Sequence, residues 1–449
     1  QEALCELQPF SVVAFPDALT AIRDERYEGW EDQQPLSVSG LLGLERRETT
    51  SEEQTESEEP LRLVTTDQRI TENWNPIAPE YRRHGTFTSL LYDPLIRVDG
   101  DEPIPWLAER WEWTGPRTLE VGLRDAEWHD GEPVRADDVA FTYDFLKDTS
   151  MGNVETPIPT PKFRGESSIV RSATVVGDAT VRFELEESNR SVGLRALQVP
   201  ILPEHVWRER TSIATIAGFE FDGETTEAVV SNNEDPVGNG PIALVEAEPE
   251  ESVTFERNPD HFLGRTSDDE TTTEDDSIAA IPERFHGKPA FARLVVEVVP
   301  SDIAAVQAVG DGRADATISN LGPDSVPQAD EEANTRLVNV QSAAFYHVGY
   351  NARRSPLQNP RFRGVLASLI DKSALVDDAF EGYAEPAASP LAASPEWVPE
   401  TLQWGDSDTD PVHPFFGEDG EVDVGSARDA FREAGYRFND DGELLSRDQ

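Results

Sequence analysis

Residues 89–148 read SLLYDPLIRVDGDEPIPWLAERWEWTGPRTLEVGLRDAEWHDGEPVRADDVAFTYDFLKD, and their pattern sets the fold expectation. Leu119, Val121 and Leu123 alternate with Glu120, Gly122 and Arg124, the period of a strand with one face buried. Asp130-Gly131 follows; glycine accepts a positive φ without a Cβ clash, so the pair predicts a tight turn. Val139, Tyr143 and Leu146 then recur at helical spacing, which predicts a strand–turn–helix unit. Trp106, Trp111, Trp113 and Trp128 crowd the same stretch and are expected to serve packing, because aromatic rings bury the largest areas. No group here is arranged for catalysis, and the segment reads as scaffold.

Composition narrows the function classes. The chain has 449 residues, room for two or three domains and a sizeable core. It carries 88 Asp plus Glu against 38 Lys plus Arg, a net charge of −50, and only four lysines, Lys147, Lys162, Lys288 and Lys372. Acidity with so little lysine resembles the composition of proteins from salt-loving archaea. At about 1 M salt the Debye length is roughly 3 Å, so self-repulsion on this scale is tolerated. Such a surface has no basic footprint for phosphates, which excludes nucleic acid as a partner; an anionic membrane surface is disfavoured for the same reason. Cys5 is the single cysteine, so no intrachain disulfide can form. No apolar run reaches the roughly 18 residues of a spanning helix. The chain opens Gln1-Glu2-Ala3 with no secretory leader pattern, and the expectation is a piece of a longer polypeptide.

The order of motifs in residues 89–148 is similar to the signature of the family 5 extracellular solute-binding proteins, the peptide- and nickel-binding subunits of ABC importers. There a "lYepLv" segment precedes "LAesWe" and then an "LR…w.dG.p..A.DV.f" hairpin and helix. Here these stand as Leu91-Tyr92-Asp93-Pro94-Leu95-Ile96, Leu107-Ala108-Glu109-Arg110-Trp111-Glu112, and Leu123-Arg124 through Phe141. The likeness continues in Leu61-Arg62-Leu63-Val64 as a first strand, Trp74-Asn75-Pro76 where members carry "LDP", and Val237-Gly238-Asn239-Gly240-Pro241 for "vGtGPy". Val253 to Asn258 fits "v.l.rN", Phe291 to Pro300 is an apolar strand, Asp315 to Ile318 fits "GeiDv", Tyr346 to Asn351 fits "ylgfN" and Arg361 to Asp371 fits "vRqAl.yAiD". Ser301 is a helix cap, Gly310 and Gly312 end that helix, and Pro360 stands where a helix start accepts proline. Phe10 to Phe15 and Tyr27-Glu28-Gly29-Trp30 resemble a strand and a turn from the extreme carboxyl end of the same family. They precede RRETTSEEQTESEE, residues 46–59, which has no apolar side chain and reads as a solvated linker.

The resemblance implies an α/β, two-lobed periplasmic-binding-protein-like fold of type II, with an enlarged first lobe and an incomplete second lobe. The expected divisions are 1–45 as a tail segment docked on the first lobe, 46–60 as the acidic linker, 61–289 as the first lobe with a subdomain at about 106–195, and 290–449 as a truncated second lobe. Two accounts fit this order: a gene of tandem binding-protein units, or a permuted and shortened single unit.

Alternative chemistry finds little support. Gly238-Asn239-Gly240 superficially resembles a dinucleotide loop, but Pro241 removes an amide donor and no helical pattern follows. The histidines, at 84, 129, 205, 261, 286, 347 and 413, include no i, i+4 pair, and with one cysteine no metal site is expected. His129-Asp130 suggests an acid–base pair only until its place in the hairpin turn is noted. The sequence has no nucleophile elbow, phosphate loop or HExxH motif, so no catalytic residue and no cofactor is expected, and the chain is read as no enzyme. Asp268, Asp269, Glu270, Glu274, Asp275 and Asp276 lack the glycine-bearing EF-hand pattern and read as a solvated insertion.

From the resemblance, a ligand cleft between lobes is expected. Asn75 and Tyr81 would lie in the loop after the first strand, Phe345 and Tyr346 beside the strand that crosses the hinge, and Trp397 in a loop after the helix pair. Arg353 or Arg354 would pair with a ligand carboxylate through a bidentate bond. The implied function is capture of a peptide-like or other small solute by hinge closure and delivery to the membrane permease subunits of an ABC importer. The protein would be extracellular, monomeric and held at the cell surface through an anchor outside this chain. Peptide-binding members hold the ligand's amino terminus with an aspartate in the late second lobe, a part this sequence lacks, so peptide specificity is a family expectation only. The competing reading is a degenerate, non-transporting surface interaction or sensing domain on the same scaffold.

Overall fold

The computed structural model describes residues 2–30, 36–47, 59–79, 85–100, 102–214, 225–264, 280–318, 320–332, 334–342, 344–391, 398–404 and 409–445. Two compact units result: a larger one of Ile22–Ser319 with Glu332–Arg336, and a smaller one of Gln1–Ala21, Asn320–Glu331 and Leu337–Gln449. The sequence placed the lobe boundary at 289/290, and the structure moves it. Arg293–Val298 runs parallel to Leu61–Thr65, and Ala316–Thr317 runs parallel to the other edge of that strand. These three strands all lie in the larger unit.

In the larger unit, Ser252–Arg257 and Ile242–Glu248 extend this sheet by antiparallel pairing. The helix Asp302–Gly310 connects the parallel strands Arg293–Val298 and Ala316–Thr317. Ser301 caps it as expected, its hydroxyl accepting from the Ala304 amide at 3.2 Å. The helix lays Ala305, Ala308 and Val309 against Val64 and Ala314.

The 89–148 stretch supplies half of a second sheet, ordered Ala108–Trp113, Thr118–Leu123, Thr180–Leu185, Val170–Gly177 and antiparallel throughout. Leu119 and Val121 are fully buried, as their alternation predicted. Gly131 takes a φ of +85° in the expected turn, and its amide donates to the Trp128 carbonyl at 2.8 Å. The helix Ala136–Lys147 follows, burying Val139, Tyr143 and Leu146 in the core it shares with Leu119, Val121, Val181 and Phe183. Asp138 anchors its first turn: one carboxylate oxygen accepts from the Arg135 amide and the other from the Glu204 amide, at 2.8 and 2.9 Å.

The amino-terminal segment departs from expectation. Its strand runs from Phe10 to Ile22 rather than stopping at Phe15. Phe10–Ala14 pairs with Tyr346–Gly349, and Ala14–Pro16 with Ala384–Pro386, both antiparallel. Residues 10–21 therefore belong to the smaller unit instead of docking on the first lobe, because their backbone groups are satisfied there. Ile22 pairs with Ala316 in the larger unit. Beyond it, Tyr27, Trp30, Leu41, Leu42 and Leu44 are buried, and Arg26 grips the buried Asp315 carboxylate and donates to the Pro60 carbonyl.

In the smaller unit, Pro360–Ala367 is a helix with proline in its first turn and Asn359 as its cap. It buries Phe362 and Val365 against Ala434 and Tyr436, at the end of the helix Val424–Glu433. Arg363 is buried, with no carboxylate partner among the described residues; its guanidinium donates to the carbonyls of Leu7, Gln8 and Leu357 at 2.5, 2.5 and 2.6 Å. Those of Leu7 and Gln8 close the short helix Glu2–Leu7, where the helix dipole favours a cation. Lys372 and Asp410 form a buried ion pair beside it, with the Lys372 ammonium also donating to the Ala387 carbonyl at 2.9 Å. The acidic cluster at residues 268–276 lies outside the described residues.

Candidate functional site

The LYDPL motif builds its own anchor. Asp93 is completely buried, and its carboxylate accepts from Trp106 Nε1 at 2.7 Å, Arg97 Nη2 at 2.8 Å and His261 Nε2 at 2.8 Å. The Leu263 amide donates to His261 Nδ1 at 3.3 Å, so the ring proton sits on Nε2 and the imidazole is neutral. Burial pushes the His261 pKa down. Burial alone would raise the Asp93 carboxyl, but His261 and Arg97 more than offset it and hold it below its ordinary value. Arg97 also lies over the Trp106 ring at 4.8 Å. This knot spends every charge internally and ties residues 93, 97, 106 and 261 together; it is scaffold rather than an acid–base site.

The glycines of VGNGP are dictated by close approach. A Cβ on Gly238 would lie 1.9 Å from the Leu91 carbonyl oxygen, and one on Gly240 would lie 2.0 Å from that of Leu90. Between them, Asn239 Oδ1 accepts from the Asp93 amide at 2.9 Å. His129 Nε2 donates to the Gly240 carbonyl at 3.1 Å and its Nδ1 accepts from the Gly238 amide at 3.3 Å. The loop is a clasp on the LYDPL motif, and His129 is its staple, so neither is a phosphate cradle or an acid–base pair. Beside it, Trp74, His129, Asp130, Glu234 and Asp235 line a hollow of about 700 Å³.

The expected ligand residues fare unequally. Asn75 is buried, and its side-chain amide is fully engaged: Nδ2 donates to the carbonyls of Ala228 and Ser231, and Oδ1 accepts from the amides of Ile77 and Ala78. It holds its own loop and presents nothing to a ligand, which corrects the expectation. Tyr81 and Trp397 lie outside the described residues. Phe345 is half-buried, with ring centroids 6.1 and 5.6 Å from Phe10 and Phe15. The next residue points to the opposite face: Tyr346 is 57% exposed, touching Phe380 at 5.3 Å between centroids. All four residues of the strand Tyr346–Gly349 are exposed, and among the described residues no strand pairs with its edge away from Phe10–Ala14. Arg353 and Arg354 are exposed in the turn after it, their amides held by Asn351. The Asp93–His261 pair escaped sequence reasoning because its members lie 168 residues apart; the acid inside the LYDPL motif was the one available signal.

Solved structures share this architecture. NikZ from Campylobacter jejuni, in complex with Ni(L-His), matches with a TM-score of 0.59 at 20% identity, over 86% of this chain and 65% of NikZ. AppA from Bacillus subtilis, in complex with a nonapeptide, matches with a TM-score of 0.58 at 21% identity, over 86% of this chain and 67% of AppA. The fold is thus the two-lobed α/β type of the periplasmic binding proteins. Residues 102–448 match the family described as bacterial extracellular solute-binding proteins, family 5 Middle, and the chain belongs to that family. Among its relatives, the oligopeptide-binding protein AppA of Bacillus subtilis is 23% identical over 370 residues, 80% of this chain and 56% of AppA. The peptidoglycan-binding protein YepA of Agrobacterium fabrum is 32% identical over 183 residues, 39% of this chain and 26% of YepA. The chain therefore spans little more than half the length of the first relative and about a quarter of the second.

Proposed function

We propose that this chain is the solute-capturing part of an ABC importer, working outside the membrane, binding a peptide-like or other small solute by hinge closure and passing it to the permease subunits. The match to the family over residues 102–448 carries this reading. The ligands named with the related structures, a nonapeptide and Ni(L-His), support a small solute as cargo. The exposed strand Tyr346–Gly349 supports an extended one, because a peptide laid along an open strand edge gains main-chain hydrogen bonds whatever its side chains. In this reading Tyr346 covers the ligand, Phe345 braces that strand from behind, and Arg353 or Arg354 meets a carboxylate. The chain does no chemistry on its cargo. No helix among the described residues is long and apolar enough to cross a membrane, and the acidic surface suits concentrated salt.

Native mass spectrometry of protein purified in about 2 M salt, followed by calorimetric titration with a panel of short peptides, tests the proposal. A retained small solute, or a saturable response to the panel, is expected. Tyr346→Ala should weaken binding by about tenfold, equivalent to ~1.4 kcal/mol, and leave the melting temperature within a few degrees because the ring is largely solvated. A chain that retains nothing and answers to no peptide is the degenerate surface domain instead.

A further inference from the structure

The sheet of the larger unit ends at Ile242–Glu248, whose far edge no strand covers among the described residues. Register fixes which of its backbone groups are spent. The Asn258 amide donates to the Pro241 carbonyl and the Arg257 amide to the Ala292 carbonyl, so along Ser252–Arg257 the even-numbered residues bond toward Ile242–Glu248 and the odd-numbered ones toward Arg293–Val298. Leu244 stands opposite Phe255 and Ala247 opposite Val253, and between them the register slips at Val245. The amides and carbonyls of Leu244 and Ala247 therefore point away from the sheet, and among the described residues nothing bonds to them.

The hollow of about 700 Å³ lies along that edge. Leu244, Val245, Glu246 and Ala247 line it in succession, and side chains on a strand alternate between its faces, so the hollow follows the backbone and not one face. Trp74, Pro236 and Val237 supply an apolar wall. Glu72, Glu234, Asp235 and Glu246 also line it, without an ion-pair partner among the described residues, and no lysine or arginine joins them. The other two titratable groups of the lining are engaged: Asp130 pairs with His205 at 2.8 Å, and His129 Nδ1 accepts from the Gly238 amide.

An open strand edge invites pairing, and the charges beside it select what pairs. Unpaired carboxylates repel a second copy of a chain with net charge −50 and attract a segment of opposite sign. We propose that Leu244–Ala247 and the hollow beside it take up an extended, lysine- or arginine-bearing segment of a partner polypeptide by strand addition. Main-chain bonds to Leu244 and Ala247 hold the segment, its basic side chains meet Glu72, Glu234, Asp235 and Glu246, and its apolar ones lie on the wall of Trp74, Pro236 and Val237. One amide and one carbonyl on each of two residues make a weak hold, which suits a segment tethered to a larger partner rather than a free solute. The site is separate from the strand Tyr346–Gly349 and does not rest on the solute-capture reading.

The test is amide hydrogen exchange of the full-length ¹⁵N-labelled chain, in the lowest salt that keeps it folded. The probe is a peptide of roughly five residues alternating lysine and valine, acetylated and amidated so that it carries no terminal charge. At about ten times the dissociation constant, exchange at Leu244 and Ala247 should slow about tenfold, while Ala243, whose amide already faces Glu256, keeps its rate. Ala247→Pro removes an amide that the sheet does not use, a change that an edge strand accepts, and should weaken the peptide at least about tenfold. Glu246→Lys reverses a charge beside the edge, should weaken it by as much, and serves should the proline variant not fold. A glutamate–valine peptide of the same design should not bind. Absence of protection at Leu244 and Ala247, equal binding of the acidic peptide, or an affinity unchanged in both variants would overturn the proposal. Protection at Tyr346–Gly349 instead would also overturn it, and would leave the solute-capture reading standing.

Discussion

Replacing Asp93 by asparagine asks whether the buried knot holds the larger unit together. The side chain keeps its shape, but its charge is lost and one acceptor oxygen becomes a donor. Whichever way the amide is turned, its NH₂ faces either the N–H groups of Trp106 and Arg97 or the Nε2–H of His261. Arg97, 11% exposed, is left without its carboxylate. Breaking a buried ion pair from one side costs about 3–5 kcal/mol, a fifth or more of the ~5–15 kcal/mol that holds a typical domain. Urea denaturation followed by far-UV circular dichroism in about 2 M salt reads this loss directly. Arg182→Gln, which breaks the exposed pair with Glu120, is the control and should cost no more than about 1 kcal/mol. The pH dependence carries the sign. The folded Asp93 carboxyl is held below its ordinary value, so its contribution is complete above the unfolded pKa of about 3.9 and is lost as pH falls through the lower folded value. The gap between parent and Asp93→Asn should therefore be widest near neutrality and narrow below about pH 4. A loss under about 1 kcal/mol at neutral pH, the level of a surface pair, would refute the assignment of the knot as a structural anchor.

Gly238→Ala should be far worse than Gly131→Ala: the first forces a Cβ to within 1.9 Å of a backbone oxygen, while the second meets nothing within 4 Å and strains only a positive φ. Losses of at least ~3 kcal/mol and about 1 kcal/mol respectively are expected in thermal melts, and equal losses would show that the clasp yields. Arg363→Met leaves three inward carbonyls without their donor; a loss of about 3 kcal/mol and faster proteolysis within residues 2–8 are expected, and a protease pattern like the parent's would count against that tie. The net charge of −50 predicts a melting temperature that climbs between about 0.1 and 2 M salt as repulsion is screened, so a flat profile would rule out salt adaptation.

What the sequence revealed and what it hid differ by range. Period and punctuation act over a few residues, so the strand Thr118–Leu123, the turn at Gly131, the cap at Ser301 and the proline at the start of Pro360–Ala367 were all legible. Pairing acts over hundreds. Nothing near Phe10 says that its strand continues past Pro16 to Ile22, because the far end of that extension pairs with residue 316, while residues 346–349 and 384–386 hold only its first part. The same limit misplaced the boundary at 289/290, since only the sheet shows that Arg293–Val298 lies beside Leu61–Thr65. At the candidate site, Asn75 looked like a polar group awaiting a ligand; its four bonds to the backbone are invisible until Ala228 and Ser231 are brought to it. Tyr346 was legible as an aromatic residue on an apolar strand, but its 57% exposure depends on tertiary packing that neighbouring residues do not reveal.

The pairing of Ala14 with Tyr346 also sets a clock. A ribosome adding about 5–20 residues per second needs on the order of 20–60 s to travel from one partner to the other. During that interval Val12, Val13, Ala14 and Phe15, all buried in the finished protein, emerge with no strand to join. A nascent chain of this design is best shielded by a chaperone or kept apart from its neighbours until residues 346–349 have emerged. The hazard belongs to the order of synthesis and not to the folded state, so a permuted gene that encodes residues 1–21 last should yield the same fold with less aggregation.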